Sequence, residues 1–364
     1  MRKGLDLVAL ATEIQRQANS KRDFLVDAPA LKMDVPDDGG AVRLEFANEH
    51  FGITTTAHDQ LAEKAGIPTA YYRKMQQAAP VLLANNVNHW FGVSQDRQMV
   101  RTLDGKARAV LSDRYRPLDN VDLAEAVLPV LQDLGCEVIS ADITDKRLYI
   151  KAVDQKVIRE LPNNARMGEG HEFVKLRALS PSVTISNSEV GHGSLSVLGG
   201  TFDSFCTNLA YFPERSTKKY HIGSKYGEFA EDQVFAMLSD QSRALNDAAL
   251  WSTIRDVVRG AFDAARFDAL IGKLQAAQGM PITGDIPKAV EVTVARFGLS
   301  QTEGKSVLDH LIKSGDLTKF GLHNAVTRTA EDVTDYDRAS EFEKLGGQII
   351  ELANDDWRRI AEAA

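Results

Sequence analysis

The chain has 364 residues, 43% hydrophobic and 26% charged, with a formal net charge of −8, a profile that suits one large or two medium globular domains. No window approaches the roughly 18 consecutive apolar residues of a membrane span, and MRKGLDLVALATEIQRQ carries charges inside its apolar run, so neither a membrane helix nor a signal peptide is expected and a cytoplasmic protein is. Two cysteines, Cys136 and Cys206, are too few for a disulfide framework or an all-cysteine metal site.

The expected elements begin with a helix over about 5–19, followed by a turn-rich segment ending in VPDDGG (35–40) and a strand at VRLEF (42–46). In ITTTAHDQLAEKAGIPTAYYRKM, Thr56 and Asp59 stand at capping-box spacing, Gly66 stops the helix, and a second helix restarts at Pro68. A third helix covers about 80–91, and one near 121–134 is expected to bend or break around Pro129. From 136 to about 212 the pattern changes to period two. CEVISADI, RLYIKAV, HEFVKLRAL, SVTISNS and SLSVLGGTF read as strands of an antiparallel meander. After 227 the helical period runs to the C-terminus, with a capping box at SQTE (300–303). Strands first and helices later predict an α+β fold, an antiparallel β-sheet core flanked by helices with a mostly helical C-terminal part. The expected division is 1–40 as N-terminal helix and loop, 41–227 as core domain and 228–364 as helical region with an acidic end.

That end, residues 331–364, holds ten acids and four bases, leaving 41 acids and 39 bases in residues 1–330. The body is therefore almost neutral, and two basic stretches stand out in it. Residues 97–116 contain Arg97, Arg101, Lys106, Arg108, Arg114 and Arg116 with Tyr115 interleaved. Residues 215–226 contain Arg215, Lys218, Lys219 and Lys225 with Tyr220, His221 and Tyr226 and no acid. Cations that track phosphates beside rings that stack on bases compose single-strand binding surfaces.

The first stretch poses its own question. Asp104-Gly105 is a strong hairpin signal, and a two-residue loop there would set Arg101 opposite Arg108, a like-charge pair that is destabilising. Neutralisation must come from an internal carboxylate, for which Asp104 and Asp113 are the neighbours in sequence, or from an external anion.

Enzyme signatures are absent: there is no phosphate-binding GxxxxGK[ST], GxSxG, HExxH or CxxC. The nearest approach is SNSEVGHGSLSVLGGTF (186–202), where Glu189, His192 and the hydroxyls of Ser186, Ser188 and Ser194 could cluster with Asn208 for acid–base work. The plain reading is a glycine turn between two strands. No histidine spacing suits a metal, and no cofactor is expected. AHDQLAEKAGIPTAYYRKM (57–75) also has the pattern of a helix-turn-helix, with Thr69, Tyr72 and Arg73 on the reading helix.

The succession FGITTTAHDQLAEKAGIPTAYYRKM, NNVNHWF, VRTLDGKARAVLSDRYRPLDN, VTISNSEVGHGSLSV with a downstream CTN, and FGLHNAVTRTA resembles the phage/plasmid-like proteins grouped as domain of unknown function 932, over about residues 50–330. The resemblance implies a mobile-element protein of the kind that handles DNA, by single-strand binding, annealing or counter-defence.

Three functions follow. The first is nucleic-acid binding, with single-stranded DNA favoured and a role in annealing or recombination. Arg101, Lys106, Arg108, Arg114, Arg116, Arg215, Lys218, Lys219 and Lys225 would contact phosphate, and Tyr115, Tyr220 and Tyr226 would stack. The second is a nucleotide-binding enzyme with a Glu189/His192/Asn208 pocket. The third is a host-factor inhibitor acting through its acidic end, which deletion of 331–364 would separate from the first. A homo-oligomer is possible through meander edge strands.

Overall fold

The computed structural model describes residues 4–37, 39–162, 176–204, 208–212 and 240–364. They form the expected α+β architecture, built on two mixed or antiparallel sheets and a helical C-terminal part. No helix among the described residues is long and apolar enough to cross a membrane.

The N-terminal helix α1 (Leu7–Ser20) starts at Asp6, whose carboxylate accepts from the Ala9 N–H at 2.8 Å, as an N-cap should. The next residues are not a loop. Strand β1 (Arg22–Asp27) and β2 (Lys32–Asp34) form the two edges of the first sheet, around β3 (Arg43–Phe46), β4 (Glu49–Ile53), β5 (Arg97–Leu103) and β6 (Lys106–Ser112). The order is β1-β5-β6-β4-β3-β2, antiparallel throughout except for β4 beside β6. The β3–β4 hairpin turns on Ala47 and Asn48, both left-handed (φ 51° and 59°). Alanine is a poor turn signal, which is why the pattern hides β4. Helices α2 (Thr55–Lys64), α3 (Thr69–Ala78) and α4 (Pro80–Val93) cover one face, burying Leu61, Tyr72, Leu83, Val87 and Phe91 with Leu44, Phe46 and Phe51. The α2 cap is Thr54, accepting from Ala57, rather than Thr56. Asp59, assigned to a capping box by spacing, instead pairs with Arg73 of α3.

Helix α5 (Asn120–Asp133) runs through Pro129 without a break. Packing of Leu123, Val127, Val130 and Leu131 against the second sheet outweighs the one backbone bond that proline forfeits. The second sheet has the order β12-β11-β10-β8-β7, the expected meander, from β7 (Glu137–Ile143), β8 (Leu148–Val153), β10 (Leu176–Asn187), β11 (Ser196–Asp203) and β12 (Asn208–Tyr211). A short β9 (Arg159–Pro162) pairs with the first part of β10. Of the separate strands expected at HEFVKLRAL and SVTISNS, residues 171–175 lie outside the described residues, and β10 runs unbroken from Leu176 through Pro181 to Asn187.

Both faces of this sheet are covered. Along β8, Leu148, Ile150 and Ala152 join the core under α1, α5 and α6 (Asp240–Ala261). Lys151 alternates to the other face, where its ammonium lies 2.7 Å from Glu343 with both side chains fully buried. Glu343 belongs to α11 (Tyr336–Ile350), which packs there beside α7 (Ala264–Gln278) and α10 (Lys319–Thr329). Helices α8 (Ile286–Phe297), α9 (Gln301–Ser314) and α12 (Asn354–Ala361) close a third core of Val307, Leu311, Leu322, Phe342, Ile349, Trp357 and Ile360. The Ser300/Glu303 capping box forms as read from SQTE, and Arg338 of α11 also grips Glu303 at 2.7 Å. The acidic end is thus part of a folded core, with Glu351, Asp356 and Glu341 paired to Lys273, Arg296 and Arg338. Deleting 331–364 would remove Phe342, Ile349 and Trp357 from that core, so the deletion cannot separate the inhibitor reading from DNA binding.

Candidate functional site

The Asp104-Gly105 turn forms as its chemistry predicts, with φ of 51° and 74°, and Leu103 and Thr102 face Lys106 and Ala107. The register then shifts, and Arg101 faces Ala109 rather than Arg108. A bulge inserts the extra residue and re-aims the side chains. The expected like-charge pair therefore does not exist across this hairpin.

Both guanidiniums turn inward to carboxylates that are distant in sequence. Arg101 is 0% exposed, donates to both oxygens of Asp23 at 2.9 and 3.0 Å, to Asp119 at 2.6 Å and to the Glu189 carbonyl at 3.0 Å. Arg108 pairs with Glu189 at 2.8 Å. Lys21 completes the group on Asp119. Three acids and three bases neutralise one another, and burial alone would lower the Arg101 pKa, but its two carboxylates more than compensate and raise it. Asp104, a neighbour by sequence, is taken by Arg16 and Ser20 of α1 instead.

Glu189 sits in the β10–β11 connection, which reaches from the second sheet into the first. Its second oxygen accepts the Asn120 N–H at 2.7 Å, placing a negative charge at the N-terminal end of α5, where free N–H groups and the helix dipole favour it. Around it, Asn187 donates to Leu118 O and Asn120 Oδ1, and Gln60 of α2 bridges the Val110 N–H to the Val190 carbonyl at 2.8 Å each. Tyr115 donates to Ser188 O at 3.0 Å and packs with Ala109, Leu111 and Val190, so it is a core ring rather than a stacking platform. The segments RAVLSDRY and ISNSEVG meet here as one polar junction between the two sheets.

The proposed Glu189/His192/Asn208 pocket does not assemble. Glu189 is held by Arg108 and Asn120, and His192 turns Nε2 toward Thr56 Oγ1 at 3.2 Å. Asn208 lies on β12 opposite Asp203, seven residues along β11 from Ser196, roughly 23 Å at about 3.3 Å per residue. The reading helix of the helix-turn-helix candidate is also occupied. Tyr72 is buried on His58 Nδ1 at 2.9 Å, and Arg73 is bound to Asp59, leaving Thr69 exposed. Among the described residues no group of His, Cys, Asp and Glu side chains is placed to hold a metal ion.

The rim of the junction carries further cations. Arg114 and Lys146 are exposed, and the Lys146 carbonyl accepts from Ser188, which fixes it beside Tyr115. Arg147 reaches the His192 carbonyl and Ser186 Oγ, both neutral acceptors. Gly193 (φ 120°) gives it room, since a Cβ there would overlap the guanidinium. Burial holds the His192 imidazole below its ordinary pKa, and the charges of Lys146 and Arg147 push the same way ahead of the opposing carboxylates. Arg116 is paired with Asp247 of α6. Lys106 is exposed beside the turn. Arg215, Lys218, Lys219, Tyr220, Lys225 and Tyr226 lie outside the described residues.

No protein-family model, no curated protein and no solved structure matches this chain. The resemblance to the phage/plasmid-like proteins rests on the quoted motifs alone.

Proposed function

We propose that the protein binds nucleic acid, single strands in preference to duplex, along the rim of Arg114, Lys146 and Arg147 together with the basic stretch 215–226. The observation that carries this reading is the cluster of cations at the rim: Arg114 and Lys146 are exposed, and the Arg147 guanidinium beside them bonds to neutral acceptors. The stretch 215–226 is included for its composition, four cations and no acid. The electrostatics around His192 support an anion at the same rim. The mobile-element and strand-annealing reading adds the resemblance to this chemistry. Arg101, Arg108 and Tyr115 no longer belong to the interface.

The test is fluorescence anisotropy of a labelled single-stranded oligonucleotide across a salt series. Affinity should fall linearly with log salt, by about 0.7 in slope for each phosphate neutralised. Charge reversal of Lys218, Lys219 and Lys225 together should abolish binding, and Lys146→Ala should lower the slope by about one phosphate contact. Absence of binding at low salt, or affinity indifferent to salt, would overturn the reading.

A further inference from the structure

Between Lys74 and Asp96 the sequence contains no Asp, Glu, Lys or Arg, in a chain of which 26% is charged. That interval forms the last turn of α3 and all of α4. One side of α4 is core, with Leu83, Ala84, Val87 and Phe91 buried. The other side is open: Val81, Leu82, Trp90 and Val93 are 60, 46, 49 and 66% exposed. At about 100° per residue, Leu82, His89 and Val93 fall on a single stripe, flanked by Val81 and Asn85 on one side and Trp90 on the other. Tyr71 adds an exposed ring on α3, which packs beside α4. Scattered exposed apolar residues are ordinary, but a contiguous face of them marks an interaction site.

We propose that this face is the contact between two copies of the chain, α4 against α4 about a two-fold axis. The chemistry of the face selects the occupant. Nucleic acid or an anionic membrane would need cations within it, and residues 75–95 offer none. A charged protein partner would have to bury its charges against Leu82 and Trp90 without counter-charge, which is costly. A second copy brings a surface equally free of charge. The exposed Asn85 amide and His89 ring each carry a donor and an acceptor, so they are complementary to themselves across an isologous interface. The molecule as a whole is −8, and two copies meet with least repulsion where neither carries charge.

Size sets the strength. Helix α4 has 14 residues, about 21 Å of length, and a helix face of that length falls well short of the ~800 Å² per partner of a standard interface. The dimer is therefore weak and concentration-dependent. No residue of the anion-binding rim takes part, so the two readings stand or fall separately.

Sedimentation equilibrium of the full chain from micromolar to several hundred micromolar tests this. The weight-average mass should climb from monomer toward dimer, and the double variant Leu82→Glu/Val93→Glu should remain monomeric or associate at least tenfold more weakly. Both positions are exposed, so the variant should keep the wild-type circular dichroism and thermal midpoint. Hydrogen exchange supplies a readout without substitution: protection over 80–93 should rise with concentration. A wild-type chain that stays monomeric throughout, a double variant that associates as well as wild type, or concentration-dependent protection confined to other segments would each overturn the proposal.

Discussion

Within one stretch of twenty residues, Arg101 and Arg108 are buried and Arg114 is exposed, although all read alike as basic residues near an aromatic. The difference lies in what faces them. Arg101 and Arg108 lie in paired strands whose neighbours supply Asp23, Asp119 and Glu189, whereas Arg114 follows the end of β6, where pairing stops. The positions of the strands thus divide one charge run into a buried part that neutralises internal carboxylates and an exposed part.

The sharpest way to break this comparison is Arg101→Met. It leaves Asp23 without its cation and Asp119 with Lys21 alone, and should cost about 3–5 kcal/mol in urea denaturation. A loss near zero would show that Arg101 is not the anchor of the junction.

The histidines extend the contrast to pH. Burial holds His58 and His323 at pKa values of about 4, each against an ordinary 6.5. Between those values the unfolded chain binds more protons than the folded one, so stability must fall as pH drops from about 6.5 toward 4 and level off below. The expected slope is about 1.4 kcal/mol per pH unit for each histidine. Urea midpoints at pH 7 and pH 5 check it, and His323→Gln should remove its share of the slope.

Gln60→Ala takes away two bonds at the junction, leaving the Val110 N–H and Val190 carbonyl without that partner. The expected cost is about 1–3 kcal/mol, measured by denaturation. At the exposed end, Arg114→Ala should change stability by no more than about 0.5 kcal/mol while weakening oligonucleotide binding. An Arg114 variant as unstable as Arg101→Met would erase the distinction between the two ends.

Much of the fold was legible because local chemistry decides it. Asp104-Gly105 turns because both residues accept positive φ, SQTE caps α9, and period two marks the meander. The failures have equally specific causes. Strand β4 follows a turn on Ala47 that no turn rule favours, β1 reads as loop because its partner β5 lies far along the chain, and β2 is three residues long, too short to show an alternation. The bulge that separates Arg101 from Arg108 leaves no mark in composition. The candidate site was legible only as a concentration of charge. Lys146 and Arg147 were missed because KR is too short to register as a basic run, and the charge-free interval 75–95 was the available signal for the α4 face.

By itself, the sequence determined the fold class, the turn at 104–105, the helical C-terminal part and the presence of two basic stretches in a nearly neutral body. These depend on periodicity, φ preference and composition, which are local or additive properties. Only the tertiary structure decided which arginines are internal, because the carboxylates that neutralise Arg101 and Arg108 come from β1, the start of α5 and the β10–β11 connection. Ion pairing depends on distance in space and on burial, and a burial pattern emerges only when distant strands have closed on one another.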